Sequence, residues 1–188
     1  MFVGHMYSTP LESEAVGSQL LDIMKAETVT LEALSGKKVA VDAFNTLYQF
    51  LSIIRQPDGT PLMDSKGRVT SHLSGLFYRN INLLMTGIKP VYVFDGESPE
   101  LKQDEIERRR EIRETAREEW KLAKEEGRIE EARKAAQASS RLTDSMVQES
   151  KELLTALGIP VYQAPSEGEA LAAQMARQKQ VWGSASRD

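Results

Sequence analysis

The chain has 188 residues, of which 40% are apolar and 28% are charged, and its 28 acids and 24 bases give a formal net charge of −4. With no cysteine and only two histidines, the sequence excludes disulfides, zinc–sulfur sites and a histidine-built metal site. The acidic balance argues against a generic nucleic-acid-binding protein, and the absence of any run of 18 apolar residues argues against a membrane-spanning helix.

Residues 1–16 show neither strand alternation nor helical periodicity, and we expect them to be a disordered extension or tag. From residue 37 onward, short β-branched runs alternate with segments of helical period. The pattern predicts strands at 37–42, 90–95, 159–162 and 181–186, and helices at 44–55, 70–85, 140–157 and 166–178. Because strands that alternate with helices usually pair in parallel, we expect an α/β fold with a doubly wound parallel sheet flanked by helices.

Carboxylates stand at the ends of the predicted strands. Asp42, Asp95 and Asp188 end three of them, and Glu167 and Glu169 begin the helix that follows the remaining one. In a parallel sheet these positions share the carboxyl edge, where open α/β folds bind ligands. Five neighbouring carboxylates repel one another unless a cation neutralises them, and ligands that are all oxygen favour Mg²⁺ or Mn²⁺. Two such ions about 3.5–4 Å apart are the usual machinery for phosphodiester cleavage.

Purely local roles for the same acids stay open at this point. Ser166 and Glu169 have the spacing of a capping box, in which Glu169 would only satisfy backbone N–H groups. Asp42 and Asp95 fit N-cap or turn positions, which are the commoner role of a single aspartate after a strand. The recurrence of acids on successive strands, rather than any one acid, favours the metal site.

The segment from 97 to 134 is highly charged, and its two signs are segregated. On a helical wheel that advances about 100° per residue, most bases fall within about 0–120° of Arg109 and most acids within about 140–220°. We find no continuous apolar stripe, so we expect a helix here to project into solvent. A solvated helix held by i,i+4 pairs such as Glu105–Arg109 is the alternative, but the segregation favours a phosphate-binding face. That face contains Lys102, Arg109, Arg110, Arg113, Arg117, Lys121 and Lys124.

Four long motifs carry a resemblance to a known family. They are VAVDAFNTLYQFL at 39–51, TSHLSGLFYR at 70–79, GIKPVYVFDG at 87–96 and GIPVYQAPSEGEA at 158–170. Together they resemble the flap endonucleases, most of all archaeal ones, over about residues 17–188. The resemblance implies a PIN-like or resolvase-like nuclease fold with an inserted helical arch. It also implies a structure-specific 5′ nuclease of DNA replication and repair, with 5′–3′ exonuclease activity and two Mg²⁺ ions (Mn²⁺ as substitute).

The resemblance also implies roles for individual residues. Lys102 and Arg109 match the two basic residues of the arch that reach the scissile phosphate, and we expect them to be catalytic. Tyr48 matches an aromatic residue that stacks on a base beside the cleavage site. Arg55 and Arg79 match positions that contact DNA, to which the basic face adds Arg113 and Arg117. The carboxylates that match the metal ligands of the family are Asp42, Asp95, Glu167, Glu169 and Asp188.

The two ends of the chain depart from the family pattern. Gly17 stands where the family has its N-terminal glycine, so residues 1–16 are interpreted as an extension. The last residue is Asp188, before a further metal-binding aspartate, a helical DNA-binding motif and a peptide that binds the sliding clamp. We therefore expect an N-terminal nuclease region at 17–115, an arch at 97–140, and a truncated internal nuclease region at 141–188.

Partners and alternatives follow from the same resemblance. The expected substrate is branched DNA with a single-stranded 5′ flap, in an archaeal cytoplasm or a eukaryotic nucleus, with no membrane. A catalytically silent fragment that retains partial DNA and metal binding is the main alternative. Nucleotide binding is disfavoured because no Gly-x-Gly-x-x-Gly or phosphate-loop motif follows a strand. A coiled-coil module is disfavoured because 97–134 lacks apolar heptads.

Overall fold

The computed structural model describes residues 29–96 and 103–185. A short 3₁₀ turn (Glu32–Leu34) precedes the first strand. The strands are β1 (Lys38–Asp42), β2 (Lys89–Phe94), β3 (Val161–Gln163) and β4 (Gly183–Ala185). The helices are α1 (Ala43–Ile53), α2 (Ser71–Met85), α3 (Gln103–Glu125), α4 (Ile129–Ala138), α5 (Asp144–Ala156) and α6 (Gly168–Arg177).

The four strands form one parallel sheet in the order β3-β2-β1-β4. The register between the central strands places Lys38 beside Lys89 and Asp42 beside Val93, so β1 and β2 end at the same edge. This confirms the predicted parallel sheet flanked by helices. The predicted third and fourth strands are shortened to three residues each, because only 161–163 and 183–185 pair with a neighbouring strand.

Alternate residues of the central strands face two hydrophobic layers. Val41, Tyr92 and Phe94 pack on one side with residues of α1, α2 and α5, including Leu47, Phe50, Leu76 and Leu154. Ala40, Val91 and Val93 pack on the other side with α6, through Ala172 and Met175. Both faces of the central strands are therefore covered by helices, as is usual for parallel sheets.

The described part of the charged segment, from residue 103 onward, forms a helical hairpin rather than one projecting helix. It turns at Gly127, whose φ of +70° suits glycine, and α4 returns along α3. Ala116 and Ala123 of α3 are buried, as are Ala132 and Ala136 of α4. The expectation that a single helix here projects into solvent is therefore wrong, since small side chains allow two helices to approach closely without a conspicuous apolar stripe. No helix within the described ranges is long and apolar enough to cross a membrane.

Candidate metal and nucleic-acid site

Asp42 occupies the junction between β1 and α1. Its side chain accepts a hydrogen bond from the Asn45 N–H at 3.0 Å, so it is the N-cap of α1. The local role considered for this residue is therefore confirmed. Only 8% of Asp42 is exposed, which is low for a carboxylate with no cationic partner among its described hydrogen bonds and ion pairs. The capping role explains why the residue is tolerated there, but not why it is placed beside further acids.

Asp95 follows β2 and connects the sheet to α6. Its Oδ1 accepts the Gly168 N–H at 2.6 Å, which satisfies one of the unpaired donors at the start of that helix. A β-carbon at Gly168 would lie 2.7 Å from the same oxygen, so only glycine fits this contact without a shift. The contact brings the end of β2 and the start of α6 together.

The start of α6 differs from the capping-box prediction. Its N-cap residue is Glu167 rather than Ser166, and the Glu167 side chain makes no capping hydrogen bond. The register needed for a Ser166–Glu169 capping box is therefore absent. Both Glu167 and Glu169 are exposed at the helix start, on the side where Asp95 approaches Gly168.

The electrostatics of Asp42 show that three of these acids influence one another. Burial is the largest cause that raises the pKa of the Asp42 carboxyl above its usual value, and the negative charges of Asp95 and Glu169 raise that pKa further. The N–H groups of Asn45 and Phe44 oppose the change but do not cancel it. The ionised form of Asp42 is thus destabilised by its surroundings, as expected where a cation is needed for compensation.

The donor chemistry at this edge fits a hard divalent cation. All its candidate ligands are carboxylate oxygens, which Mg²⁺ and Mn²⁺ prefer. Within residues 29–96 and 103–185, however, no group of three or more acids or histidines is arranged so that it could hold a metal ion. Asp188, the fifth predicted ligand, lies outside the described residues.

The basic face of α3 lies against α1. The Arg113 guanidinium carbon is 5.8 Å from the centroid of the Tyr48 ring, within the range of a cation–π contact. Both side chains are half-buried, whereas Arg109 and Arg117 are exposed. The structure therefore brings the predicted aromatic residue and one predicted cation together in one place.

Two other charges of α3 are engaged within the protein. Arg110 pairs with Glu114 at 3.1 Å, which is an i,i+4 pair of the kind expected for a solvated helix. Lys124 reaches Asp58 Oδ2 at 2.9 Å, so it is turned toward the loop after α1. Of the predicted basic face, Arg110 and Lys124 therefore make ion pairs within the protein, whereas Arg109 and Arg117 have exposed side chains.

A groove of about 560 Å³ separates α3 from the loop after α1. Its wall combines arginines with apolar side chains, a composition that suits a polyanion carrying flat bases. Arg55, Arg113 and Arg117 were predicted to contact DNA, whereas Arg141 and Trp120 were missed. Arg141 lies beyond the charged segment, three residues before α5, and no pattern in the sequence marks it as part of this groove. The lining residues are Leu51, Arg55, Pro61, Met63, Val69, Arg110, Arg113, Glu114, Arg117, Trp120, Ser139, Arg141 and Met146.

Arg55 and Arg79 occupy different surroundings. Arg55 donates to the carbonyls of Leu51 and Gly59, both at 2.8 Å, and to Ser140 Oγ at 3.0 Å. Burial lowers the pKa of its guanidinium. Arg79 is exposed on α2, with its guanidinium carbon 5.6 Å from the centroid of the Phe50 ring, and does not line the groove. Arg55 therefore has a structural role, while its predicted contact with DNA stays a prediction.

Three predicted site residues lie outside the described residues. They are Gly17, Lys102 and Asp188.

Two family models match the chain. Residues 17–116 match the XPG N-terminal domain, and residues 158–188 match the XPG I-region. Among curated relatives, flap endonuclease 1 of Pyrococcus furiosus is 60% identical over 173 residues, which covers 92% of this chain and 51% of that protein. Flap endonuclease 1 of Caldivirga maquilingensis is 64% identical over 160 residues, covering 85% and 46%. The chain thus spans about half the length of these relatives.

Solved structures give the same result. The flap endonuclease-1 of Methanococcus jannaschii superposes with a TM-score of 0.67 at 46% identity, covering 92% of this chain and 55% of that one. The catalytic core of Rad2 in complex with DNA substrate superposes with a TM-score of 0.59 at 34% identity, covering 85% and 42%. The chain therefore belongs to the XPG family, and its similar relatives are flap endonucleases.

Proposed function

We propose that this chain is the N-terminal part of a divalent-metal-dependent, structure-specific nuclease that hydrolyses phosphodiester bonds in branched DNA with a 5′ flap. The observation that carries the proposal is the raised pKa of Asp42 beside Asp95 and Glu169 at the carboxyl edge of the sheet. Asp42 and Asp95 each accept a backbone hydrogen bond, but those bonds do not offset the repulsion among Asp42, Asp95 and Glu169, which a bound cation would relieve. The Rad2 core, a structural neighbour, is described as a complex with a DNA substrate, which supports DNA as the ligand.

The chain's own residues divide the work in this proposal. Asp42, Asp95, Glu167 and Glu169 would hold Mg²⁺ or Mn²⁺, together with Asp188. The chemistry supplied by the bound cation is stabilisation of the negative charge that develops on the phosphodiester during hydrolysis. Asp95 also fixes the start of α6 through the Gly168 N–H, so the acids of that helix keep their positions relative to β2.

The cationic side chains bind and orient the nucleic acid. Tyr48 offers a ring face on which a base can stack, and Arg113 lies beside it to contact the neighbouring phosphate. Lys102 and Arg109 would stabilise the charge of the scissile phosphate, since preorganised cations act most strongly where charge develops. Exonuclease activity, a role in replication and repair, and a sliding-clamp partner for the longer protein belong to the same proposal.

Asp42→Asn tests the carboxylate site. We expect cleavage of a labelled 5′-flap duplex in Mg²⁺ to fall more than about 100-fold, because a metal site supplies several kcal/mol of transition-state stabilisation. We expect the thermal midpoint of unfolding to stay equal or rise, because asparagine caps a helix as well as aspartate does and the repulsion from Asp95 and Glu169 is removed. Cleavage that persists in Asp42→Asn, or in the presence of a chelator, would contradict the proposal.

Binding without cleavage is the second candidate function of the chain as it stands. It is favoured by the absence of a complete ligand group within the described ranges and by the half-length match to the relatives. The same duplex distinguishes the two: a retarded complex with no product in Mg²⁺ supports binding alone, whereas specific cleavage at the branch supports the nuclease.

A further inference from the structure

The loop after α1 makes three polar contacts with α3. Lys124 donates from Nζ to Asp58 Oδ2 and to Thr60 Oγ1, both at 2.9 Å. The Trp120 Nε1–H donates to the Asp58 carbonyl at 3.1 Å. The Asp58 carboxylate is held in place within its own loop, because it accepts the Thr60 N–H at 2.9 Å and the Thr60 hydroxyl at 2.8 Å. We call Asp58, Gly59 and Thr60, with Trp120 and Lys124, the latch.

Gly59 allows the latch to close. A β-carbon at this position would lie 2.7 Å from the β-carbon of Ala136 and 3.0 Å from Trp120 Nε1. Its φ of +81° also belongs to the left-handed region that favours glycine. The loop therefore touches α4 as well as α3, at a distance that no side chain permits.

Arg55 connects the latch to α1 and to the end of the hairpin. Its guanidinium donates to the Gly59 carbonyl at 2.8 Å and to Ser140 Oγ at 3.0 Å. The Ser140 hydroxyl in turn donates to the Gln137 carbonyl of α4 at 2.7 Å. One half-buried guanidinium thus links the C-terminal end of α1, the latch and the return of the hairpin.

The helical repeat places the latch residues in line with Arg113 and Arg117, which line the groove. Trp120 lies seven residues after Arg113, and Lys124 lies seven residues after Arg117, so each pair shares a face of α3 at a separation of about 10.5 Å. A helix held at Trp120 and Lys124 cannot rotate about its axis without breaking the latch. The orientation of Arg113 toward Tyr48 is therefore fixed from two turns away.

We propose that Asp58 is a positioning residue that sets the rotation of α3, so that Arg113 and Arg117 face the DNA beside Tyr48. The inference rests on the proposed function for its DNA contacts, but the latch itself does not depend on it. Asp58 touches neither the carboxylate edge nor Tyr48 among its described contacts. Its effect on DNA binding must therefore pass through α3.

Asp58→Asn tests the proposal in the chain as it stands. It removes the charge that pairs with Lys124 while keeping a side-chain acceptor for the Thr60 N–H. Without DNA, we expect amide hydrogen exchange in residues 108–125 to become about two- to fivefold faster, as befits the loss of one half-exposed ion pair. We expect the dissociation constant for a 5′-flap duplex to rise by a similar factor, with Mn²⁺ affinity unchanged.

Asp64→Asn is the matched control. Asp64 also closes a short turn, accepting the N–H groups of Lys66 and Arg68 and pairing with Arg68 at 2.7 Å, but these contacts are local to its own loop. We expect no change in exchange of α3 or in DNA binding. Lys124→Gln should reproduce Asp58→Asn, and the double variant should be no worse than either single one, because both remove the same contact.

The outcomes separate the latch from the proposed function. Equal exchange of α3 in Asp58→Asn and Asp64→Asn overturns the latch. Faster exchange with unchanged affinity for flap DNA overturns the positioning role and leaves the proposed function standing. If the unsubstituted chain does not bind flap DNA, the proposed function fails and the DNA-facing part of the inference fails with it, while the exchange data still decide whether the latch holds α3.

Discussion

The carboxyl edge of the sheet and the latch beside α3 both concentrate charged side chains, and they do so in opposite ways. At the edge, burial raises the pKa of Asp42, and the negative charges of Asp95 and Glu169 raise it further. At the latch, Asp58 is paired with Lys124, and its pKa is lowered to about 2 by the Thr60 N–H, by Lys124 and by the Thr60 hydroxyl.

The two clusters differ in whether their charges are balanced within the protein. A balanced cluster such as the latch satisfies itself and stabilises the fold, so it needs no ligand. An unbalanced cluster costs stability in the isolated protein, and that cost is recovered when a counter-ion binds. Burial and like charges raise the pKa of Asp42, whereas hydrogen bonds and Lys124 lower that of Asp58, so the pKa values of the two acids shift in opposite directions.

Gly168→Ala would disrupt the Asp95–Gly168 contact in the unbalanced cluster at the sheet edge. The new methyl group would lie 2.7 Å from Asp95 Oδ1 and 3.4 Å from the Val93 carbonyl, so Asp95 must move away from the Gly168 N–H. We expect a loss of about 10–100-fold in Mn²⁺ affinity, measured by electron paramagnetic resonance titration, because groups that orient ligands have effects of that size. Flap cleavage should fall in parallel.

Gly183→Ala provides the control for that substitution. Gly183 lies in β4 without a positive φ, and no atom lies within 4 Å of a β-carbon built there. We expect Mn²⁺ affinity and cleavage to match those of the unsubstituted chain. Equal Mn²⁺ affinity in the two alanine variants would show that the Asp95–Gly168 contact does not organise the carboxylates.

Gly59→Ala would disrupt the latch, which is the balanced cluster. Two costs combine there, the left-handed backbone and the collision with Ala136, and overpacking alone costs about 1–3 kcal/mol. Gly67→Ala separates the two costs, because Gly67 has a similar φ of +77° but open space around it. We expect urea denaturation to show a larger loss of stability for Gly59→Ala, and a similar loss for both variants would mean that the close approach contributes nothing.

Much of the sheet edge could be predicted from the sequence because its determinants are local. Asp42 and Asp95 follow short β-branched runs, and the rule that parallel strands share a carboxyl edge was enough to expect them near Glu169. The capping-box prediction failed at Ser166 because the first N–H of α6 is taken by a residue 73 positions away, in a contact that no local pattern contains.

The latch could not be predicted, for two physical reasons. Trp120 donates to a carbonyl 62 positions earlier in the chain, and nothing in the composition of either segment marks that pairing. The packing that supports the latch uses Ala116 and Ala123, whose small side chains leave no visible stripe among the charged residues of α3. Lys124 was accordingly placed on the phosphate-binding face, although the structure turns it toward Asp58.

Acidification tests the Asp58 contact without any substitution and has the smallest expected effect. Because the folded-state pKa of Asp58 is about 2, below the value of about 4 for an unfolded aspartate, the latch contributes its full stability above pH ~4 and loses it as the pH falls toward about 2. We expect the protection factors of the α3 amides, which compare the observed exchange rate with the intrinsic rate at the same pH, to fall across that window in the unsubstituted chain. Other acids titrate in the same range, including Asp64, whose pKa is lowered by Arg68. Asp58→Asn isolates the latch, because its α3 protection factors should already be low at pH 5 and should lack the Asp58 step. An identical pH profile in the two proteins would mean that the Asp58 carboxylate does not hold α3.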